Sequence, residues 1–189
     1  MGSIKPRERI LNTATTLFNQ EGIRAVGVNS IIHEADVAPM TLYRQFGGKD
    51  ELVAATLEQW SLKWLQMITE KLDRHGDDAE ARYAGLWDAL GEWFATPDFR
   101  GSFIANAAAE LRSEPNHPAL RVITAHRQSV RQILEDLAKA AGSIDPQGLA
   151  AQLQVLMDGA VAIAAVDGKP EAAHNARQLA MAALRVSSL

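Results

Sequence analysis

Apolar residues recur along this chain at intervals of three and four almost from end to end, and no stretch alternates with the two-residue period of a strand. The pattern predicts an all-α fold of about nine helices. Ile10, Ala14, Leu17 and Phe18 form the stripe of a first helix, opened by Pro6 and ended by Gly22. Val28, Ile31, Ile32 and Ala35 mark a second, which breaks at Asp36. Pro39 starts a third, because the first turn of a helix does not need the N–H that proline lacks. Leu42 and Phe46, four apart, face inward there and leave Met40, Thr41, Tyr43, Arg44 and Gln45 across the outer side.

A fourth helix is predicted over 49–74, with Asp50 and Glu51 at its positive end and Trp60, Trp64 and Met67 on one face. His75 to Asp78 then form a break. Trp87, Leu90, Trp93 and Phe94 mark a fifth helix, stopped by Pro97. Residues 102–111 are apolar nearly all round, which predicts a buried sixth helix, although Asn106 and Glu110 stand four apart within it. Pro115 and Pro118 precede a long seventh helix from Ala119 to Ala141, with Gly142 as its stop. Asp145 and Pro146 open an eighth in the favoured order, cap residue and then proline at the first helical position. Asp167, Gly168 and Pro170 separate it from a ninth that reaches about Val186. The last two helices are rich in alanine, which permits close approach and is equally compatible with an ordinary core.

At 189 residues and 47% hydrophobic, the chain can bury a substantial core. No apolar run near the length of a membrane span is evident, and MGSIKPRERI has no apolar signal region, so a cytoplasmic protein without membrane association is expected. Zero cysteines exclude disulfides and thiolate metal sites. The net charge of -4 argues against a protein that coats nucleic acid nonspecifically. Its distribution is uneven: Lys5, Arg7, Arg9, Arg24, Arg44 and Lys49 outnumber Glu8, Glu21, Glu34, Asp36 and Asp50, which leaves +1 on residues 1–50 and -5 on the rest.

The third helix is two turns long, with a small apolar back and a donor-rich front. Such a helix suits the DNA major groove, which admits one helix and displays a code of donors and acceptors. The run Thr41, Leu42, Tyr43, Phe46, Lys49 and Leu52 resembles the T-L-Y-x-x-F-x-x-K-x-x-L pattern that ends the helix-turn-helix of the tetracycline-repressor (TetR/AcrR) family, at every position. Asp36 stands where that family's turn has Gly, and Ala38 where a capping Ser is common. Asp tolerates the left-handed conformation better than most residues, whereas Ala is a poor cap.

The resemblance implies a three-helix DNA-binding domain over 1–48, braced by the first helix. It implies a regulatory ligand-binding and dimerisation domain over 49–189, reached through helix four. It also implies a homodimer joined by a four-helix bundle built from residues 146–186 and its twin. The function implied is a transcriptional repressor, released from a palindromic double-stranded operator by a small-molecule effector.

On this reading Met40 and Arg44 lie nearest the base edges, with Pro39 beside them at the helix start. Thr41, Tyr43 and Lys49 hold phosphates, and Asn29 and Ser30 are flanking contacts. Lys5, Arg7 and Arg9 either reach phosphates or are solvated charges. The effector is expected to be apolar or aromatic, because Trp60, Trp64, Met67, Trp87, Phe94 and Phe103 supply apolar wall while Asn106, Glu110 and His126 supply orienting polar groups. Core packing with satisfied polar groups is the alternative for all nine.

No cofactor, metal site or catalytic set is indicated. No two of His33, His75, His117, His126 and His174 have the i, i+4 spacing of a helical metal site, and Ser102 lacks the rest of a nucleophile elbow. A small helical enzyme and a non-DNA interaction module are the competing readings.

Overall fold

The computed structural model describes residues 5–188. Among them are nine helices and no strand: α1 (Pro6–Glu21), α2 (Val28–Glu34), α3 (Pro39–Phe46), α4 (Lys49–Asp73), α5 (Ala79–Phe94), α6 (Phe103–Glu110), α7 (Ala119–Ala140), α8 (Pro146–Asp167) and α9 (Glu171–Ser187). The chain forms two compact units, one of residues 5–63 with 103–126 and the other of residues 64–102 with 127–188.

In the first unit Ile10, Ala14 and Phe18 of α1 share a core with Ile31 of α2, Leu42 of α3, and Leu52 and Leu57 of α4. Phe103, Ile104 and Ala107 of α6 belong to the same core, as do Ala119 and Ile123 of α7. The compact unit that contains the first three helices therefore extends well past residue 48. Only one side of α6 is buried. Ala105, Asn106 and Ala109 are exposed, and the expectation of a helix buried all round is corrected, because alanine can face water at little cost and so carries no information about sides.

The turn between α2 and α3 places Asp36 at φ 49°, the one non-glycine residue with positive φ among those described. The Val37 amide closes this turn on the Ile32 carbonyl at 3.3 Å. From α1 the Arg9 guanidinium donates to the Asp36 carbonyl at 2.9 Å and lies 3.8 Å from its carboxylate. The Arg7 guanidinium stands over the Phe46 ring, 5.1 Å from its centre. Two of the basic residues at the start of α1 are thus spent on holding α2 and α3.

In the second unit, α8 and α9 pack against each other and α9 packs against α5. Small residues make this possible: a Cβ added at Gly91 would lie 3.4 Å from that of Ala173. The Tyr83 hydroxyl donates to the Ala180 carbonyl at 2.9 Å, and burial pushes its pKa upward. The Asp145 carboxylate accepts from the Gly148 amide at 2.9 Å, so the expected cap forms. Gly168 ends α8 in the left-handed conformation at φ 64°, donating to Ala164.

By length and composition α8 is apolar enough to cross a membrane, contrary to the sequence expectation. Asp158 is its single charge before Asp167, and alanine raises hydropathy without the bulk that marks an apolar run by eye. Its buried side, including Leu153, Met157 and Ala160, faces the unit's interior, whereas Val155, Ile163 and Val166 are exposed.

Candidate nucleic-acid interface

Helix α3 is held from behind and bare in front. Leu42 is 0% exposed and Phe46 is 8% exposed, and the two fix the rotation of the helix. Helical geometry then sends Met40 and Arg44 to the opposite side, with Tyr43 and Thr41 on its two shoulders. Pro39, Met40, Tyr43, Arg44 and Gln45 are exposed and Thr41 is half-buried. Asn29 and Ser30 are exposed at the start of α2, and Lys49, half-buried, is the first residue of α4.

Neither α2 nor α3 has a side-chain cap: Gly27 and Ala38 occupy the cap positions and supply no acceptor. The poor capping expected at Ala38 is observed. The free amides of a first turn carry partial positive charge, which water or a phosphate oxygen satisfies equally well.

The cations of this unit divide into two kinds. Arg9 is committed to Asp36, and Arg24 donates to Ser113 at 2.8 Å and to Glu114 at 3.2 Å. Arg44 and Lys49, by contrast, enter no ion pair among the described residues. A guanidinium and an ammonium left for an external anion, on a unit that also has two uncapped helix starts, are what a polyanion requires.

The ligand candidates fall in both units. In the first, the Trp60 ring meets Phe103 edge-on at 6.3 Å and lies 5.7 Å from the His126 ring. His126 is buried, and its Nδ1 is joined to the buried Ser61 Oγ at 2.8 Å. Ser61 was not among the sequence candidates, since its partner lies 65 residues away and nothing in the local spacing signals it. Asn106 is exposed on the same α6.

Glu110 has a different environment: its two oxygens accept from the main-chain amides of Ile23 at 3.1 Å and Arg24 at 2.8 Å, which closes the turn after α1. Gly22, at φ 91°, allows this approach, because a Cβ there would lie 3.2 Å from the Glu110 carboxylate.

In the second unit, Trp64 packs edge-on against Trp93 at 5.8 Å, and Trp93 against Phe99 at 5.1 Å. Phe94 is buried and joins Phe99 in lining a cavity of about 600 Å³ together with Thr96, Arg100, Ala165 and Pro170. Met67 is half-buried, and Trp87 is 1% exposed with no acceptor for its indole N–H among the described residues. No group of three or more His, Cys, Asp or Glu able to hold a metal occurs among those residues.

Residues 10–56, which span α1 to the start of α4, match the family model for bacterial regulatory proteins of the tetR family. The transcriptional regulator LmrA of Bacillus subtilis is 34% identical over 112 residues, 58% of this chain and 60% of LmrA, so the match leaves over a third of that relative uncovered. Over nearly the full length, the chain is similar to the crystal structure of a TetR-family transcriptional regulator from Streptomyces coelicolor. There the TM-score is 0.89 with 32% identity, covering 97% of this chain and 96% of that one. A TetR-type regulator from Streptomyces avermitilis gives a TM-score of 0.85 at 26% identity, covering 98% and 100%. At 32% identity over nearly the whole of both chains, and with the family's model matched across α1 to α4, the chain belongs to the TetR family of helix-turn-helix transcriptional regulators.

Proposed function

We propose that this protein is a cytoplasmic, homodimeric repressor. It binds an inverted-repeat operator through α3 and leaves it when a small apolar or aromatic effector binds. The observation that carries the reading is the uncommitted front of α3, where Met40 and Arg44 stand opposite buried Leu42 and Phe46 with no internal partner for the guanidinium. Arg44 is the base reader, Thr41, Tyr43 and Lys49 hold phosphates, and Asn29, Ser30 and Pro39 flank them. Residues 1–48 form the DNA-binding domain and the remainder the regulatory one, with no catalytic role.

Dimerisation is supported by apolar surface on the paired helices α8 and α9. Val155, Ile163 and Val166 lie on one side of α8, and Leu179 and Val186 stand seven apart on α9, all at least 54% exposed. A stripe of this extent on a helix pair suits an isologous contact, in which the same patch meets itself across a two-fold axis. Two readers so related require half-sites separated by about one helical turn, roughly 34 to 36 Å, or a related spacing.

The effector reading is supported by Trp60, whose ring meets both Phe103 and His126, and by the polar pair of His126 and Ser61, all in the same compact unit as α3. Release follows only from preferential binding to the DNA-free state: tenfold loss of operator affinity needs about 1.4 kcal/mol of coupling, and DNA must weaken the effector equally.

The test is selection of bound duplexes from a random pool, followed by Arg44→Ala. The variant should lose about 1 to 3 kcal/mol at one base position, while Tyr43→Ala should weaken all sequences alike. A selected consensus unchanged by Arg44→Ala would remove the base-reading role, and failure to retain any duplex at low salt would favour a helical interaction module.

A further inference from the structure

The front of α3 is not uniformly polar. Met40 is 73% exposed, more than any other large apolar side chain of its compact unit. It stands one turn before Arg44 on the side opposite Leu42 and Phe46, on a helix that has no acidic residue. Single exposed apolar side chains are ordinary on a protein surface. This one sits at the centre of a face that the groove-helix reading drives against base edges, where water is expelled.

The major-groove edges present acceptors, donors and one apolar group, the C5 methyl of thymine. A thioether chain pressed on any other edge strips water from a donor or acceptor and offers little in return, and an unpaired polar group is penalised. Methionine is also flexible enough to settle on a methyl group without exact geometry. Resting on the groove-helix reading, we propose that Met40 is a specificity-determining residue that selects thymine through its methyl group. Met40 and Arg44 are four positions apart, about 6 Å along the helix axis. That is roughly two base-pair steps, so the thymine it selects stands within about two base pairs of the base read by Arg44.

The experiment uses the full-length protein and its selected operator. Each thymine of a half-site is replaced in turn by deoxyuridine, which differs only in lacking the methyl group. At one position wild-type affinity should fall about fourfold, the factor that burial of one methyl group corresponds to, and about fifteenfold when both half-sites are changed. Met40→Ala should bind the thymine and uracil operators equally and should lose nothing in urea stability, since the side chain is exposed. An equal uracil penalty for wild type and Met40→Ala at every position, or none anywhere, would overturn the proposal while leaving the groove helix intact. Failure to retain any duplex would overturn the groove-helix reading and this inference with it.

Discussion

Arg9 reaches from α1 to the carbonyl of Asp36 at 2.9 Å, so the turn between α2 and α3 is fastened by a residue 27 positions earlier in the chain. Replacing Arg9 by Ala should lower stability by about 0.5 to 1.5 kcal/mol, the usual contribution of one such bond. Operator affinity should fall as well, because the turn sets the angle of α3. If Arg9 were instead a phosphate contact, the dependence of log affinity on log salt would flatten by about 0.9 for each protomer, about 1.8 for a dimer. An unchanged slope is expected, and salt titration of operator binding by the variant decides the matter.

Glu110 is expected to be among the least tolerant positions of the first unit. Its carboxylate takes two main-chain amides at once, and charge-assisted bonds are stronger than neutral ones. Glu110→Ala should cost about 2 to 3 kcal/mol by removing two charge-assisted bonds, whereas Glu114→Ala, which removes an exposed partner of Arg24, should cost less than about 1 kcal/mol. Urea unfolding of the two variants side by side gives the comparison.

Tyr83 provides a pH-dependent check on the second unit. Burial raises its hydroxyl pKa above the ordinary value of 10.0, so the folded chain favours the neutral, donating form. The corresponding stability is fully present below about pH 10, the unfolded value, and is lost as pH rises above it toward the folded one. Tyr83→Phe should be less stable at neutral pH by about 0.5 to 1.5 kcal/mol. The gap between variant and wild type should narrow in unfolding curves recorded at increasingly alkaline pH.

The exposed stripe on α8 and α9 yields a mass prediction. Val166 is 85% exposed and Leu179 is 60% exposed, so a carboxylate at either position is harmless in an isolated chain. Between two copies it would be buried without a partner, which is strongly unfavourable. Val166→Glu and Leu179→Glu should therefore sediment as monomers at micromolar concentration, keep their helical content, and bind the inverted repeat far more weakly than wild type. A dimeric Leu179→Glu with unchanged affinity would place the two-fold contact elsewhere.

Much of the candidate site could be read from the sequence because its causes are local. Pro39 and the Leu42 and Phe46 spacing set the start and rotation of α3 within eight residues, and Asp145 caps α8 three residues away. Asp36 took the left-handed turn that its side chain tolerates. What escaped depends on distance along the chain. Asn106 and Glu110 look like a pair by their spacing, yet the partners of Glu110 are the amides of Ile23 and Arg24, separated from it by 87 and 86 positions. Ser61 is invisible for the same reason, since only folding brings His126 to it. Arg7 and Arg9 read as free cations because a cation in sequence does not reveal whether a ring or a carbonyl will meet it.

The Glu110 contact is also lopsided in what it asks of heredity. At positions 23 and 24 it engages the peptide backbone, which every residue except proline supplies, so the codons there can drift without touching the bond. At position 110 only the glutamate side chain serves, and at position 22 the close approach and positive φ admit little beyond glycine. A genetic screen for chains that fold poorly at the helix-turn-helix would therefore recover lesions in α6, about sixty residues beyond the motif whose shape they disturb.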